Sequence, residues 1–215
     1  MDDGISPFQT AEQRVRARAE KREAVLRAAV RTFNARGFHA TSLDDVAASL
    51  GISKPTIYHY LGNKEQVLLE CVRRGLEQLR DAADDARTKP GTGLDRLRGF
   101  LRRYAEINMD DFGRCVIRTS EETLSPEGAV RFRALKSEID QAMRELIVDG
   151  IADGSIGSVD VKLAAFTLAG ALNWPARWFD PAGPLSAEAV ASRIVDLLTS
   201  GLAPRVPANP LYDHG

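Results

Sequence analysis

The sequence contains only two cysteines and three histidines among its 215 residues. Cys71 and Cys115 have no second thiol or clustered histidine near them in the sequence, so the pattern predicts neither a disulfide framework nor a zinc site. We expect both to be buried as small apolar side chains. The chain also lacks a glycine-rich phosphate loop and a nucleophile-elbow motif, and His39, His59 and His214 are isolated from one another. These absences predict a protein that is not an enzyme and holds no metal or cofactor.

Long apolar runs are missing as well. The longest, residues 163–176, is shorter and more interrupted than the ~20 residues that a membrane-spanning helix needs. The first ten residues, MDDGISPFQT, start acidic and contain no apolar stretch, so we predict no secretory signal. We therefore expect a cytoplasmic protein with no membrane partner.

The sequence has almost no net charge, with a formal value of -1 at pH 7. Its charges are nevertheless uneven, because residues 1–64 carry 10 Lys+Arg against 7 Asp+Glu while residues 65–215 carry 19 against 23. Any anionic partner is therefore expected to bind the amino-terminal third.

Alternating strand patterns are also absent, and nearly every segment places apolar residues at helical spacing. We predict an all-α protein. The predicted helices span 11–36, 41–51, 53–62, 64–87, 94–110, 112–123, 126–152, 159–179 and 186–201, with a linker at 88–93. The predicted helix starts are Thr41 or Ser42, Ser53, Asn63 with Gln66, and Ser125 before Pro126.

The second and third helices, joined through Gly51, fit a helix-turn-helix. Ile57 and Leu61 lie four residues apart and are predicted to face the core, which turns the other side chains of the third helix outward. A helix that enters the DNA major groove needs short or flat side chains for base edges, and hydroxyls and cations for phosphates. The residues predicted to contact DNA are Thr41, Ser42, Ser53, Lys54, Pro55, Thr56, Tyr58, His59, Tyr60 and Lys64.

These contacts divide into two classes, because phosphate contacts fix the register whereas base contacts specify the sequence. Lys64 starts the fourth helix, where its ammonium and the unpaired backbone donors meet one phosphate. The predicted phosphate contacts are Thr41 or Ser42, Tyr58, Tyr60 and Lys64, and the predicted base contacts are Lys54, Pro55, Thr56 and His59. For the basic residues between Arg14 and Arg22, a solvated helix face is favoured over an arm in the minor groove.

Residues 23–72 resemble the DNA-binding domain of TetR-family transcriptional regulators. The resemblance lies in the glycine and threonine before the second helix, the VA pair, the GIS turn, the TIY core of the third helix and the NKE start of the fourth. It implies a homodimeric all-helical regulator, usually a repressor, whose carboxy-terminal domain binds a small molecule. Residues 170–202 are similar to TetR-like regulators that sense acyl-CoA thioesters, so an acyl-CoA or another amphipathic or aromatic acid is the implied effector.

The helix predicted at 159–179 is apolar around most of its central part, so it needs cover on two sides. With the last helix it is predicted to form a four-helix bundle across the two-fold axis of a homodimer. The alternative is that both helices only complete the core of their own subunit. The predicted interface residues are Leu163, Ala169, Gly170, Val190, Ile194, Leu197 and Leu198.

An effector pocket requires apolar walls and a few polar groups. Asn173 lies in an apolar run and must find a hydrogen-bond partner if it is buried. The candidate pocket residues are Phe100, Tyr104, Met109, Phe112, Arg114, Arg118, Met143, Phe166, Asn173, Trp174 and Arg177. For the arginines a surface ion pair is the alternative, and for the aromatic residues and methionines it is ordinary core packing.

We divide the chain into a helix-turn-helix DNA-binding domain at residues 11–64, a ligand-binding and dimerisation domain at 65–203, and an irregular tail at 204–215. The predicted function is a repressor that a small-molecule inducer releases from a palindromic operator in double-stranded DNA. The alternative is a DNA-binding dimer without a ligand, an architectural or adaptor protein. Absence of any cavity in the larger domain would favour that alternative.

Overall fold

The computed structural model describes residues 11–200, in which ten α-helices and no β-strand occur. The all-α prediction is confirmed, whereas the predicted tail and His214 lie outside the described residues. The helices are α1 (Ala11–Arg36), α2 (Leu43–Ser49), α3 (Lys54–Leu61), α4 (Lys64–Thr88), α5 (Gly93–Met109), α6 (Asp111–Arg118), α7 (Pro126–Ala152), α8 (Val161–Asn173), α9 (Pro175–Trp178) and α10 (Ala187–Ser200).

Two predicted helices are shorter in the structure. The helix predicted at 112–123 ends at Arg118, because the backbone turns extended at Thr119. A single 3₁₀ turn follows at Glu121–Thr123. The helix predicted at 159–179 is divided into α8 and α9, since Pro175 has no backbone N–H to continue α8 and instead starts the next helix.

Two groups of helices build the core. Helices α1, α2 and α3 enclose Phe33, Val46 and Ile57, and α4 leaves this group to pack against α5, α6 and α7. Helices α4 and α6 approach each other closely in the second group. A Cβ atom at Gly75 would lie 2.6 Å from Cγ2 of Val116 and 2.7 Å from the carbonyl oxygen of Phe112. Glycine at this position therefore sets the separation of the two helices.

Side-chain caps fix where the helices start. Asn63 and Gln66 form the predicted reciprocal pair, in which Gln66 N–H donates to Asn63 Oδ1 at 2.9 Å and Asn63 N–H donates to Gln66 Oε1 at 3.0 Å. Ser42, Ser53 and Ser125 cap α2, α3 and α7, as predicted. Within residues 11–200 no helix combines the length and apolar character needed to cross a bilayer.

Candidate functional site

The helix-turn-helix, α2 and α3, is oriented by two serine caps. Ser42 Oγ accepts from the Asp45 N–H at 3.1 Å, while the Asp45 carboxylate accepts from the Ser42 N–H at 2.8 Å. The Ser42 hydroxyl also donates to the Asp45 carboxylate at 2.6 Å, and this hydrogen bond, together with the one from the Ser42 N–H, lowers the pKa of the Asp45 carboxyl. Between the helices Gly51 has φ +63°, a left-handed conformation that glycine adopts without strain. Ser53 then caps α3, so both short helices begin at fixed residues.

Two buried residues anchor α3, and most of its other side chains face solvent. Ile57 and Leu61 are buried, as predicted, whereas Tyr58 is 49% exposed and Lys54, Pro55 and His59 are also exposed. Tyr60 departs from the prediction. It is half-buried and packs against the core, because its position three residues after Ile57 places it beside the buried stripe.

The start of α2 presents Ser42 rather than Thr41. Thr41 is 2% exposed, and its hydroxyl donates to the Gly37 carbonyl at 2.9 Å in the turn between α1 and α2. Ser42 is exposed. Of the two predicted phosphate-binding hydroxyls at this position, the structure therefore leaves only that of Ser42 accessible.

Lys54, at the amino-terminal end of α3, is held by an ion pair with α2. Its ammonium lies 2.6 Å from a carboxylate oxygen of Asp44, and this hydrogen bond and the negative charge raise the pKa of Lys54. The second carboxylate oxygen, Asp44 Oδ1, is buried and has no hydrogen-bond partner among residues 11–200. A DNA base or phosphate that binds Lys54 must therefore compete with Asp44.

Arg18 in α1 reaches the reading face of α3. Its guanidinium lies 3.1 Å from Nε2 of His59. An arginine side chain can only donate, so Nε2 of His59 accepts and the ring hydrogen is on Nδ1.

Lys64, at the start of α4, lies over an aromatic ring. Its ammonium is 4.2 Å from the centroid of Phe38, a distance typical of a cation–π contact. One backbone donor of this first turn, the Gln66 N–H, is already bound to Asn63. A phosphate at this position would therefore meet the Lys64 ammonium and the remaining donors of the turn.

The larger domain contains a cavity of about 530 Å³ with walls from α4, α5, α6, α7 and α8. Four of the predicted pocket residues line it: Tyr104, Met143, Phe166 and Asn173. Other apolar walls are Leu76, Leu79, Val116, Ile117, Ile139 and Ala169. The prediction of an apolar pocket with a few polar groups therefore agrees with this cavity.

A polar cluster faces the cavity from α5 and α8. Tyr104 donates to Asn173 Oδ1 at 2.9 Å, and the Asn108 amide donates to the same oxygen at 3.0 Å. Asn173 thus finds the partners that its apolar surroundings require. Burial raises the pKa of Tyr104 to about 12, so its phenol remains a neutral donor. Asn108 Oδ1 is buried and has no partner within the described residues.

The rim of the cavity carries charges that the sequence did not reveal. Arg133 and Lys136 lie one turn apart on α7 and are exposed, with Asp140 one further turn along. Arg133 pairs with Glu121 at 2.7 Å. The spacing of Arg133, Lys136 and Asp140 along α7 could have indicated a shared charged face. Exposed charges on a long helix, however, normally indicate only a solvated face.

Three predicted pocket residues belong instead to the packed core. Phe100 and Met109 are buried within α5 packing and do not line the cavity. Phe112 points toward α1, where the Arg27 guanidinium lies 5.2 Å from its ring centroid. The prediction was wrong for all three, because helical spacing identifies an apolar face without identifying the neighbour that covers it.

Three more predicted pocket residues lie at or near α9 and also miss the cavity. Arg114 donates to the carbonyl of Phe179 and lies over its ring, so it fixes the segment after α9. Trp174 is 62% exposed, and Arg177 is exposed. The break before Pro175 turns the last part of the predicted helix away from the pocket.

Arg118, the remaining predicted pocket residue, bridges the amino-terminal helices and α9. It donates to the carbonyl of Asn34 in α1 and, at 3.4 Å, to the carbonyl of Ala176 in α9. The same junction holds an ion pair between Arg31 and Asp111 at 2.7 Å. Helix α6 therefore contacts both α1 and the segment that follows α8.

An apolar face of α8 and α10 remains exposed in the single chain. Leu163 is 65% exposed, Leu197 is also exposed, and no atom lies within 4 Å of a Cβ built at Gly170. Val190 differs from the prediction, because α10 turns it inward against α5 and it is buried in its own subunit. The other predicted interface residues are half-buried: Ala169, Ile194 and Leu198. A hollow of about 650 Å³, lined in part by Leu163 and Leu198, adjoins this face.

Comparison with known families covers both parts of the chain. Residues 25–71 match the model of bacterial regulatory proteins of the tetR family. Residues 90–202 match the model of the tetracyclin repressor-like carboxy-terminal domain. Together the two matches include the helix-turn-helix and the helices around the cavity, except for the part of α4 after residue 71.

Individual transcriptional regulators are similar to this chain over most of its length. The transcriptional repressor KstR2 of Rhodococcus jostii is 30% identical over 192 residues, which cover 85% of this chain and 91% of that protein. The structure of the regulator PfmR from Thermus thermophilus is 33% identical, with a TM-score of 0.76, and covers 84% of this chain and 99% of that one. The structure of AibR in complex with isovaleryl coenzyme A and operator DNA is 25% identical, with a TM-score of 0.72, and covers 83% and 98%.

Proposed function

This chain belongs to the TetR family of helix-turn-helix transcriptional regulators, and from that premise we propose that it is an effector-controlled repressor. In this proposal a homodimer binds a palindromic operator in double-stranded DNA. A small molecule enters the cavity between α4 and α8 and lowers the affinity for the operator. Membership of the family implies DNA binding and transcriptional regulation. The proposal concerns how a small molecule controls the affinity for the operator.

The repressor role is supported by relatives with that activity, since the KstR2 proteins are transcriptional repressors. In a dimer built on the apolar face of α8 and α10, the two copies of α3 would read half-sites about 34–36 Å apart. Exposed apolar side chains such as Leu163 and Leu197 support that arrangement, because they would be covered by the second subunit.

An acyl-CoA thioester is the proposed effector class. The cavity volume of about 530 Å³ suits a small organic ligand, and its walls are mainly apolar, as an acyl chain requires. Arg133 and Lys136 at the rim provide cations for the phosphates of a nucleotide-like group, although Glu121 competes for Arg133. The neighbour AibR, whose structure contains isovaleryl coenzyme A, supports the same class by similarity.

The observation that carries the proposal is the path from the cavity to the DNA-binding helices. Asn173 lines the cavity at the end of α8, α9 follows directly, and Arg118 joins Ala176 of α9 to Asn34 of α1. A ligand that displaces Asn173 would move α9 and alter this junction. Operator affinity then falls if the ligand binds the altered conformation more tightly than the DNA-bound one.

The test is a fluorescence-anisotropy titration of the purified protein with DNA from directly upstream of its own gene. The titration is repeated with acyl-CoAs of increasing chain length, the matching free acids, simple aromatic acids, and coenzyme A alone. We expect salt-sensitive, site-specific binding that at least one acyl-CoA reverses and coenzyme A alone does not. Specific binding that no member of the panel alters would contradict the effector class but not the regulator.

The alternative, a DNA-binding dimer without an effector, requires a larger domain that only dimerises. Such a domain has no need for an apolar pocket that opens to the surface between α4 and α8 and carries a few convergent polar groups. The cavity and its polar cluster favour the effector-controlled repressor.

A further inference from the structure

Helix α1 begins well before the part of it that is buried. Its first core residue is Val25, and the preceding residues 12–21 are exposed apart from Ala17. This segment contributes no side chain to the core of the domain. A short helical segment without packing is only marginally stable in water, so its sequence is not explained by the stability of the fold.

Three basic residues of this segment lie on one face of the helix. Arg14, Arg18 and Lys21 are spaced i, i+4, i+7, which keeps them within one stripe, and we call them the α1 basic stripe. None of the three forms an ion pair within residues 11–200. Arg16, on the opposite face, pairs instead with Glu20 at 3.1 Å.

The α1 basic stripe is unfavourable for the isolated helix. Arg14 and Arg18 are like charges four residues apart, which destabilises a helix. An external anion that binds between the two guanidinium groups would remove this penalty.

The position of the stripe identifies the anion. Arg18 donates to His59 Nε2 at 3.1 Å, and His59 is an exposed residue of the DNA-reading helix α3. The stripe therefore lies on the same side of the molecule as the reading face. From this position its cations extend the DNA-facing surface beyond the helix-turn-helix.

We propose that the α1 basic stripe binds backbone phosphates of the DNA that flanks the bases read by α3. This inference rests on DNA binding by the helix-turn-helix and adds a second set of contacts to it. Because phosphates are the same in every sequence, the stripe adds affinity without adding sequence preference. It also makes binding more sensitive to salt, since each neutralised phosphate releases condensed counterions.

The test compares wild-type protein with a variant in which all three stripe residues are replaced by alanine. The control variant, Arg80→Ala/Lys89→Ala/Arg103→Ala, removes the same charge from exposed positions away from the stripe. Affinity for a duplex of arbitrary sequence is measured by anisotropy over a range of salt concentrations. Thermal unfolding of each variant confirms that the fold is intact.

We expect the stripe variant to bind the duplex roughly tenfold or more weakly at low salt, with a salt-dependence slope lower by about 0.9 for each phosphate that is no longer neutralised. The control should keep the wild-type slope. Equal slopes for the two variants would overturn the inference while leaving DNA binding intact. Failure of the wild-type protein to bind any duplex would overturn both the stripe and the DNA-binding function.

A second variant separates direct phosphate contact from an effect through His59. Arg18→Lys keeps the charge but not the fixed planar geometry of the guanidinium. We expect it to retain most of the wild-type salt slope. If Arg18→Lys loses as much of the slope as Arg18→Ala, Arg18 acts by positioning His59 and the phosphate contact is contradicted.

Discussion

The reading helix α3 and the cavity of the larger domain are built in different ways. Helix α3 has eight residues, starts at the Ser53 cap and is anchored by Ile57 and Leu61. The cavity draws its walls from five helices and places its polar cluster where α5 meets α8. The DNA-facing surface thus depends on a few neighbouring residues, and the effector site on helix packing across most of the domain. A substitution in α3 should therefore affect the protein differently from a substitution in the wall of the cavity.

The largest effect is expected at Ile57, the more deeply buried of the two residues that anchor α3. Ile57→Ala should lower the free energy of unfolding by about 2–5 kcal/mol, because it leaves a void at a fully buried position. Urea denaturation followed by circular dichroism measures the change. Tyr58→Ala, one residue along on the exposed face, is the control and should change stability far less. Similar losses for both would mean that α3 is not held by its buried stripe.

The next effect tests the packing that shapes the cavity. Gly75→Ala should cost about 1–3 kcal/mol, because its new methyl group meets Val116 and the Phe112 backbone where α4 crosses α6. Gly99→Ala is the matched control, since nothing lies within 4 Å of a Cβ there. That change should instead stabilise α5 by about 0.5–1 kcal/mol. Equal stability of the two variants would show that the α4–α6 approach is not close.

A comparable or smaller loss of stability is expected when the polar cluster of Tyr104, Asn108 and Asn173 is disrupted. Asn173→Ala removes the acceptor shared by Tyr104 and Asn108 and should cost about 1–3 kcal/mol. Adding Tyr104→Phe should cost little more, because the unsatisfied hydroxyl is then gone. The four proteins form a double-mutant cycle, and additive losses would show that Tyr104 and Asn173 are not coupled.

The smallest expected effects are changes in DNA affinity, and they distinguish the contact made by Lys64 from the contact made by Lys54. Lys64→Ala should weaken binding to all duplexes alike and lower the salt-dependence slope by about 1, because one phosphate is left without its cation. Lys54→Ala should instead change the preference between the operator and a scrambled duplex. Anisotropy with both duplexes separates the two outcomes. A uniform loss from both variants would contradict the division into phosphate and base contacts.

The local construction of α3 and the many-helix construction of the cavity also decide how much of each site the sequence could predict. The serine caps, Gly51 and the Ile57–Leu61 spacing are local, so the limits and the buried face of α3 could be predicted. Thr41 and Tyr60 were misjudged because their exposure depends on side chains from neighbouring helices. The division of the chain at residues 64 and 65 stays a prediction.

In the larger domain the sequence predicted an apolar pocket but not its full lining. Asn173 was recognisable as a polar residue in an apolar run, whereas Arg133 looked like an ordinary surface charge. Phe112 and Arg118 lie on α6, a helix covered from several sides, and the spacing of residues alone could not show which side faces the cavity. Only the packing of the helices turns Arg118 toward α1.

The central claim is tested most directly by measuring how the acyl-CoA panel releases upstream DNA. The measurement is made with wild-type protein and with the Met143→Trp variant. Met143 is buried and lines the cavity, so a larger side chain there should occupy the proposed effector site without touching α3. We predict that an acyl-CoA releases the DNA from the wild-type protein, and that the variant binds the DNA equally well but resists release. Release of both proteins at the same acyl-CoA concentration, or of neither by any member of the panel, would contradict control through this cavity.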